Sequence, residues 1–295
     1  MTQAVMEKHG RTKAAGKTGK AGTLIIIGGH EDRHADSEVL KAVAEAVGNG
    51  KLVVTTVASE QSSEELWEEY QKVFRELGVK KVEHLSVADR GEALSPDRER
   101  ILEGATAVFF TGGDQLRITA QLGDSLVYRR IQAIYEEGGM VAGTSAGASV
   151  MSDVMLVSGN GEESYKIGSA LRLAPGLGLL QDVIIDQHFA ERGRLGRLLG
   201  AVAQNPAMLG VGIDENSAIR VHDRESFEVL GDGAVYVLDA SGVTFSNLTE
   251  DDPDDALSIF DVKLHVLSAG YCFDLRERRP VRSKGAEEQR RKTAQ

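Results

Sequence analysis

One segment of this chain constrains its fold more than any other: Gly143-Thr144-Ser145-Ala146-Gly147, directly after the apolar residues 139–142. The G-x-S-x-G pattern is typical of a serine on a tight strand-to-helix turn at the carboxyl edge of a sheet. Such a turn strains the serine and crowds its neighbours, so glycine fits at both flanking positions. The pattern predicts that Ser145 is a nucleophile. The alternative is a glycine-rich turn with no catalytic role.

Apolar runs bounded by glycine alternate with amphipathic stretches through most of residues 23–275. This alternation indicates an α/β fold, a mostly parallel sheet with helices on both faces. The predicted strands include Thr23–Ile27, Lys51–Ala58, Lys81–Val87 and Ala105–Thr111, and the predicted helices include residues 37–47, 62–77 and 125–137. Extra C-terminal strands follow from about Ser217, with a predicted hairpin at Gly231-Asp232-Gly233 that joins residues 227–230 to 234–238.

The composition excludes several classes of protein. With Cys272 as its one cysteine, the chain has neither an internal disulfide framework nor a cysteine metal cluster, which is compatible with a reducing compartment. No apolar run approaches the ~20 residues that span a bilayer. Residues 1–22 lack the apolar segment of a secretory signal. We therefore expect a cytoplasmic protein that does not bind membranes.

Charge divides the chain into three parts. Residues 1–22 hold five basic residues and one acidic residue, residues 276–295 hold eight and three, and residues 23–275 hold 21 and 41, a net charge of −20. We expect flexible basic arms at 1–22 and 276–295 around a single catalytic domain at 23–275. The acidic body repels nucleic acid, and the basic tails lack the interleaved aromatic residues of a nucleic-acid binder.

A nucleophilic serine needs a general base within hydrogen-bond reach. Of the seven histidines, His188 is the leading candidate, since it ends the buried strand pattern of residues 183–187, and function collects at that edge of a parallel sheet. A structural histidine is the alternative. His30, which follows Gly28-Gly29, is a weaker candidate near the same edge.

The base in turn needs an acid to orient it. Asp214 and Glu215 both follow the apolar run 209–213, and either could orient the imidazole, although Asp214 could instead cap a turn. The order Ser…His…acid differs from the Ser…acid…His order of α/β-hydrolases. The order argues against an ordinary esterase or lipase.

An oxyanion hole needs backbone N–H groups aimed at the developing charge. The N–H of Ala146, directly after the serine, is one natural donor. The second could come from the turn Gly112-Gly113-Asp114, whose glycines could also be there simply to let the chain turn.

Three arginines lie within six residues just after the candidate base: Arg192, Arg194 and Arg197. Arginine binds carboxylates through a bidentate fork, and nearby Asp186 and Gln187 could receive a cationic or polar group. A helix start with solvated arginines is the alternative. No G-x-G-x-x-G loop follows the first strand, and no H-E-x-x-H pattern or paired histidine spacing is present, so we expect no cofactor and no metal.

Five ordered motifs resemble one known family, cyanophycinase, a serine exopeptidase family related to the α-aspartyl dipeptidases. The motifs are Gly28-Gly29-His30-Glu31-Asp32, Thr111-Gly112-Gly113-Asp114-Gln115, Gly143-Thr144-Ser145-Ala146-Gly147-Ala148, Asp186-Gln187-His188-Phe189 and Gly212-Ile213-Asp214-Glu215-Asn216. The resemblance covers roughly residues 23–275. It implies a flavodoxin-like α/β fold, akin to class I glutamine amidotransferases, and a homodimer.

The resemblance also implies a substrate and a set of roles. Cyanophycin is a polyaspartate with arginine joined to each β-carboxyl, and the family cleaves its backbone to release β-aspartyl-arginine. By resemblance Ser145 is the nucleophile, His188 the general base and Glu215 its acid. Gly113 or Asp114, with Ala146, would form the oxyanion hole, and the substrate would contact Gln115, Asp186, Gln187, Arg192, Arg194 and Arg197. The alternatives are an α-aspartyl dipeptidase and a non-catalytic amidotransferase-like binding module.

Overall fold

The computed structural model describes residues 21–34, 37–59, 63–158, 171–249 and 255–282. The described helices are α1 (Glu38–Val47), α2 (Ser63–Glu76), α3 (Arg90–Ala93), α4 (Pro96–Arg100), α5 (Gln115–Leu122), α6 (Leu126–Glu136), α7 (Ala146–Ser149) and α8 (Leu195–Gln204). The strands up to the candidate base are β1 (Thr23–Ile27), β2 (Lys51–Thr55), β3 (Lys81–Leu85), β4 (Ala107–Phe110), β5 (Met140–Thr144), β6 (Ser152–Ser158), β7 (Arg172–Pro175) and β8 (Leu180–Gln187). The later strands are β9 (Leu209–Ile213), β10 (Ser217–His222), β11 (Ser226–Gly231), β12 (Val235–Asp239), β13 (Phe245–Ser246), β14 (Ile259–Phe260), β15 (Lys263–Leu267), β16 (Tyr271–Asp274) and β17 (Arg279–Arg282).

The first large sheet has the strand order β17-β16-β11-β10-β1-β5-β4-β2-β3. Its strands β1 to β5 are parallel to one another, while β10, β11, β16 and β17 extend it in antiparallel pairs. This arrangement confirms the α/β fold with a mostly parallel central sheet and extra C-terminal strands. Successive side chains of β1 point to opposite faces: Leu24 and Ile26 enter one core, and Ile25 and Ile27 enter the other.

Helices cover both faces of the first sheet. One core contains the apolar sides of α1 and α2, such as Val43 and Phe74. The other contains residues of α5 and α6, such as Ile118 and Ile131, together with one face of the second sheet. That second sheet has the order β15-β12-β9-β8-β6-β7, with β6, β8 and β9 parallel, and α8 packs against its other side.

The predicted hairpin around Gly231 is wrong. Strand β11 pairs with β10 and β16 in the first sheet, whereas β12 pairs with β9 and β15 in the second. The turn therefore carries the chain from one sheet to the other. Gly231 has φ +90°, and a Cβ there would come within 2.9 Å of the Ser217 Cα, so the close approach requires glycine.

The predicted boundary after residue 275 is also wrong. Residues 279–282 form β17, paired with β16, and the turn between these strands is held by ion pairs from Arg276 to Glu225 and from Arg278 to the buried Asp239. The rest of the predicted tail, from residue 283, and residues 1–20 of the predicted arm lie outside the described residues.

Candidate active site

Ser145 lies on the turn between β5 and α7, as the elbow pattern predicts. Its backbone has φ +52°, which a non-glycine residue rarely adopts. A Cβ at Gly143 would come within 2.5 Å of the Gly147 carbonyl oxygen, and one at Gly147 within 2.5 Å of the Phe110 carbonyl oxygen. The backbone of the elbow is thus packed too closely for side chains at either glycine.

His188, directly after β8, contacts Ser145, the predicted nucleophile. Its Nε2 lies 2.9 Å from the Ser145 Oγ, and its Nδ1 lies 2.6 Å from Oε1 of Glu215. An ionised carboxylate only accepts hydrogen bonds, so the proton of this contact resides on Nδ1. Nε2 of the neutral imidazole is then free to accept the Ser145 hydroxyl proton.

The two candidate acids occupy different environments. Glu215 faces His188, whereas the Asp214 carboxylate accepts the backbone N–H groups of Ala190 at 2.9 Å and Ala234 at 3.1 Å. Asp214 is buried and ties two loops together. The neighbouring carboxylates therefore make different contacts: Glu215 accepts from the imidazole, and Asp214 holds the backbone around it.

Three consecutive carbonyls, beginning with the last residue of β1, hold the backbone of the site. Ile27 accepts the N–H of Ser145 at 3.1 Å, Gly28 that of His188 at 2.8 Å, and Gly29 that of Asn216 at 2.9 Å. The left-handed φ values cluster here as well, at +52° for Ser145, +48° for His188 and +50° for Asn216. Backbone strain of this kind persists only where the surrounding structure fixes it, and it clusters at functional sites.

The electrostatic setting favours a neutral base. Burial lowers the pKa of His188 below its ordinary value; the positive charge of Arg192 lowers it further, while the hydrogen bond to Glu215 opposes both. For Glu215, burial alone would raise the pKa, but hydrogen bonds from His188 and His30 outweigh it and hold the pKa of this carboxyl below its usual range. A neutral imidazole beside an ionised carboxylate is the state that a general base requires.

The predicted oxyanion hole is partly corrected. A Cβ on Gly112 would lie 4.0 Å from the Ser145 Oγ, so the turn Gly112-Gly113-Asp114 borders the Ser145 hydroxyl. The Asp114 N–H, however, donates to the Ala58 carbonyl at 2.9 Å, and its side chain caps α5. The prediction of Asp114 as an oxyanion donor is therefore wrong, because its backbone N–H already donates to Ala58. The N–H of Ala146 begins α7 and has no intrahelical acceptor, and with the Gly113 N–H it is left as the candidate pair.

The model of the protein family described as "Peptidase family S51" matches residues 24–229 of this chain. The chain belongs to peptidase family S51.

Two relatives, from Synechococcus elongatus and from a Nostoc species, are each named cyanophycinase. The first is 36% identical over 261 residues, covering 88% of this chain and 81% of the relative. The second is 37% identical over 271 residues, covering 91% and 89%. A solved peptidase from an acI-B1 Actinobacterium superposes with a TM-score of 0.66 at 21% identity, covering 86% of this chain and 97% of that one, and supports the fold.

In this S51 peptidase the predicted substrate-binding residues fall into two groups. Asp186 and Arg197 are buried against each other in a bidentate pair, with Arg197 Nε 2.6 Å from the Asp186 Oδ2. Arg194 joins them, 3.2 Å from the Asp186 Oδ1, and also donates to Gln187. The Asp186 carboxylate thus binds both arginines inside the protein, and these contacts hold the loop after β8.

The other predicted contacts differ in exposure. Arg192 is exposed on the same loop and makes its backbone hydrogen bond to the His188 carbonyl. The Gln187 amide donates to the Ser149 Oγ at 3.1 Å, and the Gln115 amide to the Leu156 carbonyl at 2.9 Å. Of the six predicted substrate-binding residues, Arg192 therefore presents the most exposed charge near His188.

Sequence reasoning missed Glu31. This buried carboxylate accepts hydrogen bonds from the Thr144 hydroxyl at 2.5 Å and from the Tyr70 hydroxyl, so it holds the residue that precedes Ser145. The guanidinium of Arg33 lies 4.8 Å from the centre of the Tyr70 ring. The signal in the sequence that could have identified Glu31 is its position just after Gly28-Gly29, which follow a buried strand.

The structure also brings together His30, His188 and Glu215, whose ligand atoms lie within 4.8 Å of one another and could hold a metal ion. The hydrogen bonds to Glu215 already account for this spacing. Among the described residues, no helix is both long and apolar enough to cross a membrane.

Proposed function

We propose that this chain is a serine exopeptidase that hydrolyses the aspartyl backbone of cyanophycin and releases β-aspartyl-arginine. The observation that carries the proposal is the hydrogen-bonded series Ser145–His188–Glu215 at a strand-to-helix elbow. Its support is the identity of 36–37% to proteins named cyanophycinase over most of both chains.

The proposed cycle follows from these contacts. Nε2 of His188 takes the proton of the Ser145 hydroxyl as its oxygen attacks a backbone carbonyl of the substrate. The N–H groups of Ala146 and Gly113 stabilise the oxyanion of the tetrahedral intermediate. His188 then protonates the leaving amine, the acyl-enzyme forms, and water activated by the same imidazole releases the product and frees Ser145. Glu215 stabilises the imidazolium in both halves of the cycle.

The proposed substrate carries charges of both signs. Each repeating unit presents a guanidinium and an α-carboxylate, and an exposed arginine can bind that carboxylate through two hydrogen bonds. We assign this contact to Arg192, with Arg194 and the amides of Gln187 and Gln115 lining the approach. Asp186 and Arg197 would act on the substrate through the loop that they hold.

Incubation of the purified protein with insoluble cyanophycin tests the proposal, with clearance and product masses as readouts. We expect β-aspartyl-arginine from the wild type and none from Ser145→Ala. Turnover of aspartyl dipeptides with the polymer untouched would instead favour an α-aspartyl dipeptidase. A folded wild type that neither cleaves these substrates nor reacts at Ser145 with serine-directed probes would favour a binding module.

We further propose a cytoplasmic homodimer that binds neither nucleic acid nor membranes. The acidic balance of residues 23–275 and the one cysteine support the location and the absence of nucleic acid. The apolar side chains of Leu264, Val266 and Val281 are exposed along β15 and β17 and line one shallow concavity, which suits contact with a second copy. Light scattering during size-exclusion chromatography would give the oligomeric state.

A further inference from the structure

The carboxylate of Glu215 is shared by two imidazoles. Its Oε1 lies 2.6 Å from Nδ1 of His188, and its Oε2 lies 3.0 Å from Nδ1 of His30. The two rings meet edge to face, with centroids 5.1 Å apart and an interplanar angle of 82°. His30 therefore contacts both the acid and the base of the proposed triad.

Burial does not explain this placement of His30. The His30 side chain is 70% exposed, whereas that of His188 is 4% exposed. The backbone of His30 nevertheless has φ +45°, a left-handed conformation that costs free energy for most residues with a side chain. It is held there because the carbonyls of Gly28 and Gly29 bond to the loops that carry His188 and Glu215.

Glu215 needs such support. Its side chain is 23% exposed, so a carboxylate oxygen without a protein donor would turn toward water. Rotation about the terminal torsion of glutamate meets only a broad, shallow barrier. Two donors on different oxygens fix that rotation, since each oxygen then has its own partner. With both oxygens engaged, Oε1 stays aligned with the N–H that His188 must keep on Nδ1.

We propose that His30 is a positioning residue that donates a hydrogen bond from Nδ1 to Oε2 of Glu215 and fixes the carboxylate that orients His188. The inference rests on the proposed function, because it assumes that His188 is the base. Charged groups facing His188 and Glu215 from neighbouring segments are Arg192, Arg194 and Glu191, and none of these replaces the contact of His30 with Oε2.

Three variants at position 30 separate the hydrogen bond from the ring. His30→Asn places an amide donor near the former Nδ1 and tolerates a left-handed φ. His30→Phe keeps a ring that can pack against His188 but has no donor, and His30→Ala has neither. Steady-state kinetics on soluble cyanophycin would give kcat and KM for each, with Ser145→Ala measured alongside.

We expect His30→Ala and His30→Phe to lower kcat about tenfold, as for other residues that orient a ligating or catalytic side chain from behind. KM should stay unchanged, and His30→Asn should recover most of the loss. A His30→Phe enzyme as active as the wild type, or a His30→Asn enzyme as slow as His30→Ala, would overturn the inference. A rise in KM at constant kcat would make His30 a substrate contact and overturn it too.

A measurement that needs no turnover completes the test. In a Ser145→Ala background, proton NMR reports the strongly deshielded Nδ1 proton shared by His188 and Glu215. We expect His30→Ala to shift or broaden this resonance and His30→Asn to restore it; an identical resonance in all three proteins would contradict the inference. Should Ser145→Ala itself retain activity, the proposed function fails, which is distinct from a failure at position 30.

Discussion

Gly29 packs directly against the imidazole of His188: a Cβ at position 29 would come within 2.6 Å of Nε2 and 2.9 Å of Nδ1. The backbone of Gly29 also has φ +103°, a conformation that side chains disfavour. The absence of a side chain at Gly29 therefore leaves room for the ring of His188, the proposed general base, which lies far along the chain.

Gly29→Ala should displace the His188 ring and lower kcat by about a hundredfold, since a shift of about 1 Å in a catalytic group can cost that much. Gly138→Ala is the matched control, because Gly138 has φ +93° and no atom within 4 Å of its would-be Cβ. The control should lose about 1 kcal/mol of stability through backbone strain and keep its kcat. Equal kcat values for the two variants would show that the contact with His188 does not matter.

Glu215→Gln should lose activity and keep its stability, whereas Asp214→Asn should lose stability and keep much of its activity. The glutamine cannot stabilise the imidazolium, so kcat should fall by roughly four orders of magnitude while the thermal midpoint hardly changes. The asparagine of Asp214→Asn would turn an NH2 group toward a backbone N–H, which should cost about 1–3 kcal/mol in free energy of unfolding and spare much of the activity. Kinetics and urea denaturation of both variants check this, and the reverse pattern would exchange the two roles.

The acid limb of the kcat/KM profile should lie below the ordinary pKa of histidine. His188 acts as a base only when neutral, burial and Arg192 lower its pKa, and kcat/KM is lost as pH falls through that value. Arg192→Gln removes a positive charge that disfavours the imidazolium, so the pKa should rise and the limb should move to higher pH. Arg129→Gln, which breaks an exposed pair with Asp124, should leave the limb in place; a shift to lower pH in Arg192→Gln would refute the assignment.

Arg197→Met should destabilise the protein far more than a comparable surface change. Removing Arg197 leaves the buried Asp186 with only Arg194, and breaking a buried ion pair from one side costs about 3 kcal/mol. Arg100→Met is the control, because its pair with Asp97 is exposed on both sides and should be worth well under about 1 kcal/mol. Chemical denaturation measures both, and an unchanged stability in Arg197→Met would favour a direct role in substrate binding instead.

Local residue patterns were sufficient to predict the elbow and the parallel strands. The two glycines around Ser145 are needed by close backbone contacts at the turn, and the burial of β1 follows from its own run of apolar residues. The same local reasoning failed at Gly231, because the strands on either side of this turn belong to different sheets. Only the pairing of β11 and β12 with strands from other parts of the chain shows that the two belong to different sheets.

Residue patterns alone predicted an α/β chain with a serine on a strained turn, and they placed His188 and a pair of carboxylates at strand ends on the same edge of the sheet. The tertiary structure decided which carboxylate meets the imidazole, because the hydrogen bonds of Asp214 to Ala190 and Ala234 fix the direction of both side chains. It also decided the place of His30, whose contact with Glu215 depends on the pairing of β1 with β10. Contacts between such distant segments are set by packing and register, which no local pattern of residues encodes.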